Sequence, residues 1–358
     1  MHTEENMGKL WQRIPDASGK ARLQEVALDQ VRITQPTVVY LSGFLTNNNR
    51  PGYVAGSIKS MEELLQDAFP QLPPIYGWSH TSLRNLFNLA LYNSHPSKRS
   101  SDAGFDIGTA VLMPLVAKDF SRDEQGNVSG TPLPLDEARK NLRNVTFFGY
   151  SAGAIVAQET YNATLRMMKK IGYAEKDAQG VLNEVVLVAA GVFSRYTKEK
   201  NRFTTLYMVA TNDRMMRAKN MIWGTLGAIY NRFAMRKKDT KTLVVRRISD
   251  TSVMVTAPVR PTYYQWQYDE NGNRTKKKYF EPLYPKWLFR KSYHELPHYI
   301  TRDESNNAFA NTAYYALVNA LRRKERISPM ALLDVPDGIG KTDTACYKAK
   351  MSSINGQA

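Results

Sequence analysis

The sequence predicts an α/β fold, a mainly parallel sheet with helices on both faces. Three observations point there. Short apolar runs rich in β-branched and aromatic residues recur along the chain, and their continuity suits strands buried on both faces. Helical patterns lie between these runs. The alternation of strand and helix is the order that a doubly wound sheet requires, because a parallel connection needs a crossover.

The elements follow in order. PTVVYLSGF ends at Phe44, and the helical pattern SIKSMEELLQDAF follows it. A second helical pattern, SDAGFDIGTAVLMPLVAKDF, precedes the run VTFFGYS, which ends at Ser151. GAIVAQETYNATLRMMKKIG comes directly after that serine and reads as a helix. NEVVLVAAGVF starts at Asn183 and RFTTLYMVATND at Arg202, followed by the helical pattern MIWGTLGAIYNRFAMRKK. TKTLVVRRISD starts at Thr240, and the helical pattern NNAFANTAYYALVNALRRK closes the fold.

Two regions interrupt the alternation. Residues 76–101 are rich in Ser, Asn, His and Arg, and residues 252–290 are aromatic and basic. The second region contains TYYQWQYDENGNRTKKKYF, in which Asn271-Gly272 between alternating flanks predicts a β-hairpin with a primed turn. It reads as a hairpin or cap insertion before the last helix. Residues 1–30 read as an N-terminal extension, 31–326 as the α/β domain and 327–358 as a C-terminal tail.

Composition narrows the classes. The chain has 358 residues and is 42% hydrophobic and 23% charged, as a globular protein is. Cys346 is the one cysteine, which excludes an intramolecular disulfide and a cysteine-based zinc site. The first residues carry acidic groups and no apolar segment of a secretory signal, and no apolar run of about 18 residues appears. The expectation is a soluble, cytoplasmic protein, with export by a signal-independent route left open. Lys and Arg exceed Asp and Glu by 49 − 33 = 16. That balance favours anionic partners, including peripheral contact with an anionic membrane. The clusters Arg236-Lys237-Lys238, Arg246-Arg247, Lys276-Lys277-Lys278 and Arg322-Arg323-Lys324 accompany no nucleic-acid motif, which argues against a nucleic-acid module.

The chemistry gathers at Gly149-Tyr150-Ser151-Ala152-Gly153. A serine hydroxyl is a poor nucleophile without an adjacent base. A Gly-x-Ser-x-Gly turn between strand and helix projects that hydroxyl from the carboxyl end of the sheet. It also aims the helix N-terminus at developing negative charge. NVTFF supplies the strand and AIVAQETYNATL the helix.

On these residues the chain resembles the α/β-hydrolase superfamily, over roughly 37–324. The resemblance implies a mainly parallel eight-stranded sheet and a triad in chain order Ser, Asp or Glu, His. It makes Ser151 the nucleophile. It puts the acid after the second strand beyond the nucleophile strand, at Asp213, with Asp250 as the alternative. It puts the base near the end of the chain, where only His294 and His298 follow Asp213. His294-Glu295-Leu296-Pro297 matches the family's His-x-x-Pro pattern and favours His294, with His298 as the alternative. The long insertion before either histidine departs from the family. For the oxyanion hole the resemblance implies the backbone N–H groups of Ala152 and Phe44. Ser42-Gly43-Phe44 stands where relatives commonly read His-Gly-x.

The activity implied is cleavage of a carboxylic ester, of a lipid or other acyl compound, with no metal or organic cofactor. An acyltransferase or thioesterase with the same triad, or an inactive binding protein, are the alternatives. A zinc site at His294 and His298 is set aside because Pro297 lies between them, and DGIGKTD lacks the first glycine of a phosphate loop at Val335. The segment 221–233 reads as a helix on the sheet or as a lid helix, and the hairpin at 263–280 suits the same lid role.

Overall fold

Nine strands form one central sheet, and six neighbouring strands in it run parallel. The structure is a computed structural model. It describes residues 8–15, 21–43, 51–79, 102–123, 127–192, 202–210, 243–257, 259, 264–268, 274–278, 296–301 and 308–337. The strands in chain order are β1 (Lys9–Pro15), β2 (Ala21–Val26), β3 (Thr37–Leu41), β4 (Ile75–Ser79), β5 (Ala117–Arg122), β6 (Val128–Pro132) and β7 (Val145–Tyr150). Then come β8 (Val186–Ala190), β9 (Thr204–Ala210), β10 (Val244–Ser249), β11 (Ser252–Ala257), β12 (Tyr264–Tyr268) and β13 (Arg274–Lys278). The helices are α1 (Pro51–Leu65), α2 (Asp102–Ile107), α3 (Leu135–Leu142), α4 (Ala152–Lys170), α5 (Glu175–Leu182), α6 (Pro297–Ile300) and α7 (Ala308–Arg322).

The sheet order is β10-β11-β9-β8-β7-β3-β4-β1-β2. Strands β11, β9, β8, β7, β3 and β4 are parallel, whereas β10 and β1 run against their neighbours. The alternation of side chains across each strand feeds two cores. Val39, Leu41, Phe147, Leu187 and Ala189 pack with residues of α2, α3, α4 and α5. Val38, Tyr40, Phe148, Val186 and Val188 pack with residues of α1, α6 and α7. The apolar runs of β3, β7, β8 and β9 are therefore strands covered on both faces, as expected, whereas the run of β10 lies at the sheet edge and is exposed at Arg246, Arg247 and Ile248. No helix among the described residues is long and apolar enough to cross a membrane.

Several boundaries differ from the sequence expectation. The stretch read as an N-terminal extension supplies β1 and β2, an antiparallel pair on the edge of the sheet. The region read as starting an insertion at 76 begins inside β4, a strand between β3 and β1. Gly77 and Ser79 disguise that strand. A Cβ at Gly77 would come within 2.4 Å of Val54 on α1, so the glycine marks where the helix presses on the sheet. The second insertion was read from 252, yet Ser252–Ala257 is β11, parallel to β9 and buried at Val253 and Val255. The small pair β5 and β6 stands outside the main sheet, and its first strand takes Ala117–Phe120, the end of the stretch read as helical. The hairpin at 263–280 is present as β12 and β13, and its turn lies outside the described residues. The lid segment 221–233 also lies outside them. The described part of the C-terminal tail packs onto α7: Leu332 and Leu333 are buried, and the Asn319 amide donates to the carbonyls of Ala331 (3.1 Å) and Asp334 (2.7 Å).

One half-buried cation ties the end of α7 to the amino edge of the sheet. The Arg323 guanidinium donates to the carbonyls of Val145 (3.0 Å) and Glu184 (3.1 Å) and to Thr146 Oγ1 (3.2 Å). Burial pushes its pKa down to about 10. Replacing it leaves buried carbonyls without donors, which costs about 1–3 kcal/mol. Arg323→Met is therefore expected to lower the unfolding free energy measured in urea by that amount, and an unchanged value contradicts the role assigned to it.

Candidate active site

Ser151 alone makes the turn from β7 to α4. Its backbone sits at φ 54° and ψ −116°, a region that residues other than glycine rarely occupy. Among the described residues only Asp119, at the irregularity between β5 and β6, shares a positive φ without being glycine. Such a conformation costs about 1–3 kcal/mol and persists only where the surroundings impose it. Here the Ser151 N–H donates to the Ala190 carbonyl at 2.8 Å, and the Ala154 N–H donates to the Ser151 carbonyl at 3.1 Å. The turn is thus tied to β8 on one side and to α4 on the other.

A serine before a helix is ordinarily a cap, with extended backbone and its hydroxyl accepting an N–H of the first turn. Ser151 does neither: its φ is positive, and its side chain makes no capping bond. The ordinary reason for a serine at this place is therefore absent.

Both flanking glycines answer to close backbone approach. A Cβ at Gly149 would lie 2.8 Å from Ala154 Cα, and one at Gly153 would lie 1.9 Å from the Leu41 carbonyl oxygen. Gly149 lets α4 meet the strand that feeds it, and Gly153 lets α4 meet the end of β3. The second contact draws the loop after β3 to the serine. A Cβ built at Gly43 would be 3.4 Å from Ser151 Cβ and 3.0 Å from the Tyr150 ring. Gly43, the last described residue after β3, is therefore adjacent to the serine turn. Ala152, at the first position of the 19-residue α4, is buried beside them. The first N–H groups of a helix lack intrahelical acceptors and carry its positive dipole end. Phe44 lies outside the described residues.

The remaining candidates divide. His298 is buried in α6, whose first position is Pro297, a residue preorganised to start a helix. Its neighbour Tyr299 is fully buried and packs against the ring of Tyr150 (centroids 6.2 Å apart) and that of Phe309 (5.2 Å). This aromatic contact joins the residue after His298 to the residue before Ser151. The sequence reading missed it, since two tyrosines 149 positions apart carry no local signal. Asp213 and His294 lie outside the described residues. The strand that leads to Asp213, β9, ends at Ala210 on the same edge as Ser151.

Asp250, the alternative acid, is in the wrong place. The sequence reading took its strand as parallel, which would put Asp250 at the carboxyl edge. That strand, β10, runs antiparallel to β11, so its end lies at the amino edge of the sheet, away from Ser151. There Asp250 is exposed and pairs with Arg247 at 2.8 Å.

Ser151 also occupies a privileged point of the topology. From β3 the sheet grows outward to β4, and then from β7 in the opposite direction. Ligands of open α/β sheets bind outside the carboxyl ends of the strands at such a reversal. No family model matches the chain, and no curated protein shows significant similarity to it.

Two measurements probe this geometry. Ser151→Gly relieves the positive φ whereas Ser151→Ala retains it, so the glycine variant is expected to be more stable by about 1 kcal/mol in urea denaturation. Equal stabilities refute the strained turn. Gly153→Ala drives a methyl into the Leu41 carbonyl and is expected to cost about 3 kcal/mol or more. A near-wild-type midpoint for that variant contradicts the close approach.

Proposed function

We propose that the protein is a serine hydrolase with an α/β-hydrolase fold that cleaves a carboxylic ester of a lipid or another acyl compound. The observation that carries this reading is the backbone of Ser151, held at φ 54° between two tightly packed glycines with its hydroxyl not used as a helix cap. The strand order reverses at this serine, and the loop after β3 begins beside it; both features support the reading.

In this proposal Ser151 Oγ attacks the acyl carbon while its proton passes to a histidine. The oxyanion that forms is held by backbone N–H groups at Ala152 and in the loop after Gly43, with Phe44 as the second donor. The imidazolium gives its proton to the departing alcohol, leaving an acyl-enzyme. The histidine then takes a proton from water, the hydroxide adds to the acyl carbon, and collapse releases the acid and restores Ser151. Asp213 orients the imidazole and stabilises its charged form. Between the two histidines, the contact of Tyr299 with Tyr150 favours His298 as the base, with His294 as the alternative. The chemistry calls on no metal or organic cofactor.

A fluorophosphonate, which phosphonylates activated serines, tests the proposal directly. The folded wild type is expected to label, and Ser151→Ala is expected not to. A folded wild-type protein that does not label removes the hydrolase reading. His298→Ala and His294→Ala, measured separately on a soluble ester, are expected to split: the base loses roughly 10³–10⁴-fold in kcat, and the other stays near wild type.

A further inference from the structure

Tyr150 ends β7 and directly precedes Ser151. Alternation along the strand puts its side chain on the face of Phe148, where it packs on the core covered by α1, α6 and α7. There its ring meets that of Tyr299, with centroids 6.2 Å apart and planes inclined by 55°. Tyr299 is fully buried and packs in turn on Phe309, which is 1% exposed. The ring of Tyr150 is thus anchored on a rigid part of the core.

The same ring lies against Gly43. A Cβ built there would stand 3.0 Å from Tyr150 Cδ1, 3.2 Å from Cε1 and 3.4 Å from Ser151 Cβ. The φ of Gly43 is not in the left-handed region, so conformational freedom does not explain a glycine here. The room taken by the ring does. Gly43 therefore rests on two consecutive residues of the turn, the tyrosine and the serine.

We propose that Tyr150 is a positioning residue for the nucleophile: its ring, anchored on Tyr299, sets the gap between Gly43 and Ser151. This role rests on the serine hydrolase reading. In that reading the peptide unit that begins at Gly43 carries the second oxyanion donor. Its distance from Ser151 then decides how well the tetrahedral oxyanion is held. A misplacement of about 1 Å costs roughly 10²-fold in rate. A tyrosine that only filled the core would change stability and leave the chemistry of the folded protein alone.

The test follows fluorophosphonate labelling of the full chain at a series of probe concentrations. This separates the maximal labelling rate from the half-saturating concentration. Tyr150→Ala is expected to lower the maximal rate roughly 30–100-fold and to move the half-saturating concentration only a few-fold. Tyr150→Leu fills the core without spanning the gap; it is expected to lose as much, and it carries the test if the alanine variant does not fold. Tyr150→Phe keeps the ring and is expected to label at close to the wild-type rate. Leu321→Ala, a truncation of a buried residue in the last turn of α7, is the control: it is expected to lower the urea midpoint and leave labelling unchanged. Gly43→Ala presses a methyl on the ring and is expected to slow labelling roughly tenfold, yet to add little once Tyr150→Ala has removed the ring. Wild-type labelling by the folded alanine or leucine variant, a loss in Tyr150→Phe as large as theirs, an equal loss in Leu321→Ala, or full additivity with Gly43→Ala each overturns the positioning role while the hydrolase reading stands. A folded wild type that does not label defeats both.

Discussion

Burial of both faces of the parallel sheet is the constraint from which the rest follows. A strand covered on both sides sends alternate residues into two different cores: Val38 and Tyr40 into one, Val39 and Leu41 into the other. Parallel neighbours cannot be joined by tight turns, so α1 joins β3 to β4, α4 and α5 join β7 to β8, and these connections supply part of the layers that cover the sheet. The same crossovers bring every carboxyl end of the parallel strands to one edge. Gly43, Ser151 and the end of β9 meet there for that reason and not because of any attraction among them. A rigid two-sided core is also what can hold a strained residue in place.

At that edge the backbone is closer than side chains allow. Gly149 and Gly153 bracket Ser151 and give α4 contact with two strands at once. The serine is left to absorb the change in chain direction with a backbone angle that glycine would adopt more readily. Strain at one residue inside an otherwise relaxed helix and strand is characteristic of positions kept for chemistry. The tyrosine before it packs against Tyr299, so an aromatic contact links α6 to the turn across a long stretch of chain.

The large positive charge has more than one origin. Arg323 sits among backbone carbonyls at the amino edge, Arg143 pairs with Glu184 at 2.9 Å, and Arg13 pairs with Glu62 between β1 and α1. These cations hold elements together. Three of the four cations of β13 differ in kind, because the register partners of Arg274, Lys276 and Lys278 are aromatic. Net charge alone conceals this division; strand pairing reveals it.

The sequence by itself determined the strand, the turn and the helix around Ser151, because apolar runs, glycines and helical periodicity are local signals. It determined the layered α/β class for the same reason, and the presence of a hairpin where β12 and β13 pair. Strand direction and strand neighbours were decided only by the tertiary structure, because both depend on residues far apart in the chain. TLVVRRIS reads alike whether it runs with the sheet or against it, and its antiparallel course carries Asp250 to the opposite edge. Ile75–Ser79 and Ser252–Ala257 look like the starts of insertions until α1 and β9 are placed against them. The approach of Tyr299 to Tyr150 likewise exists only once α6 has packed onto the sheet.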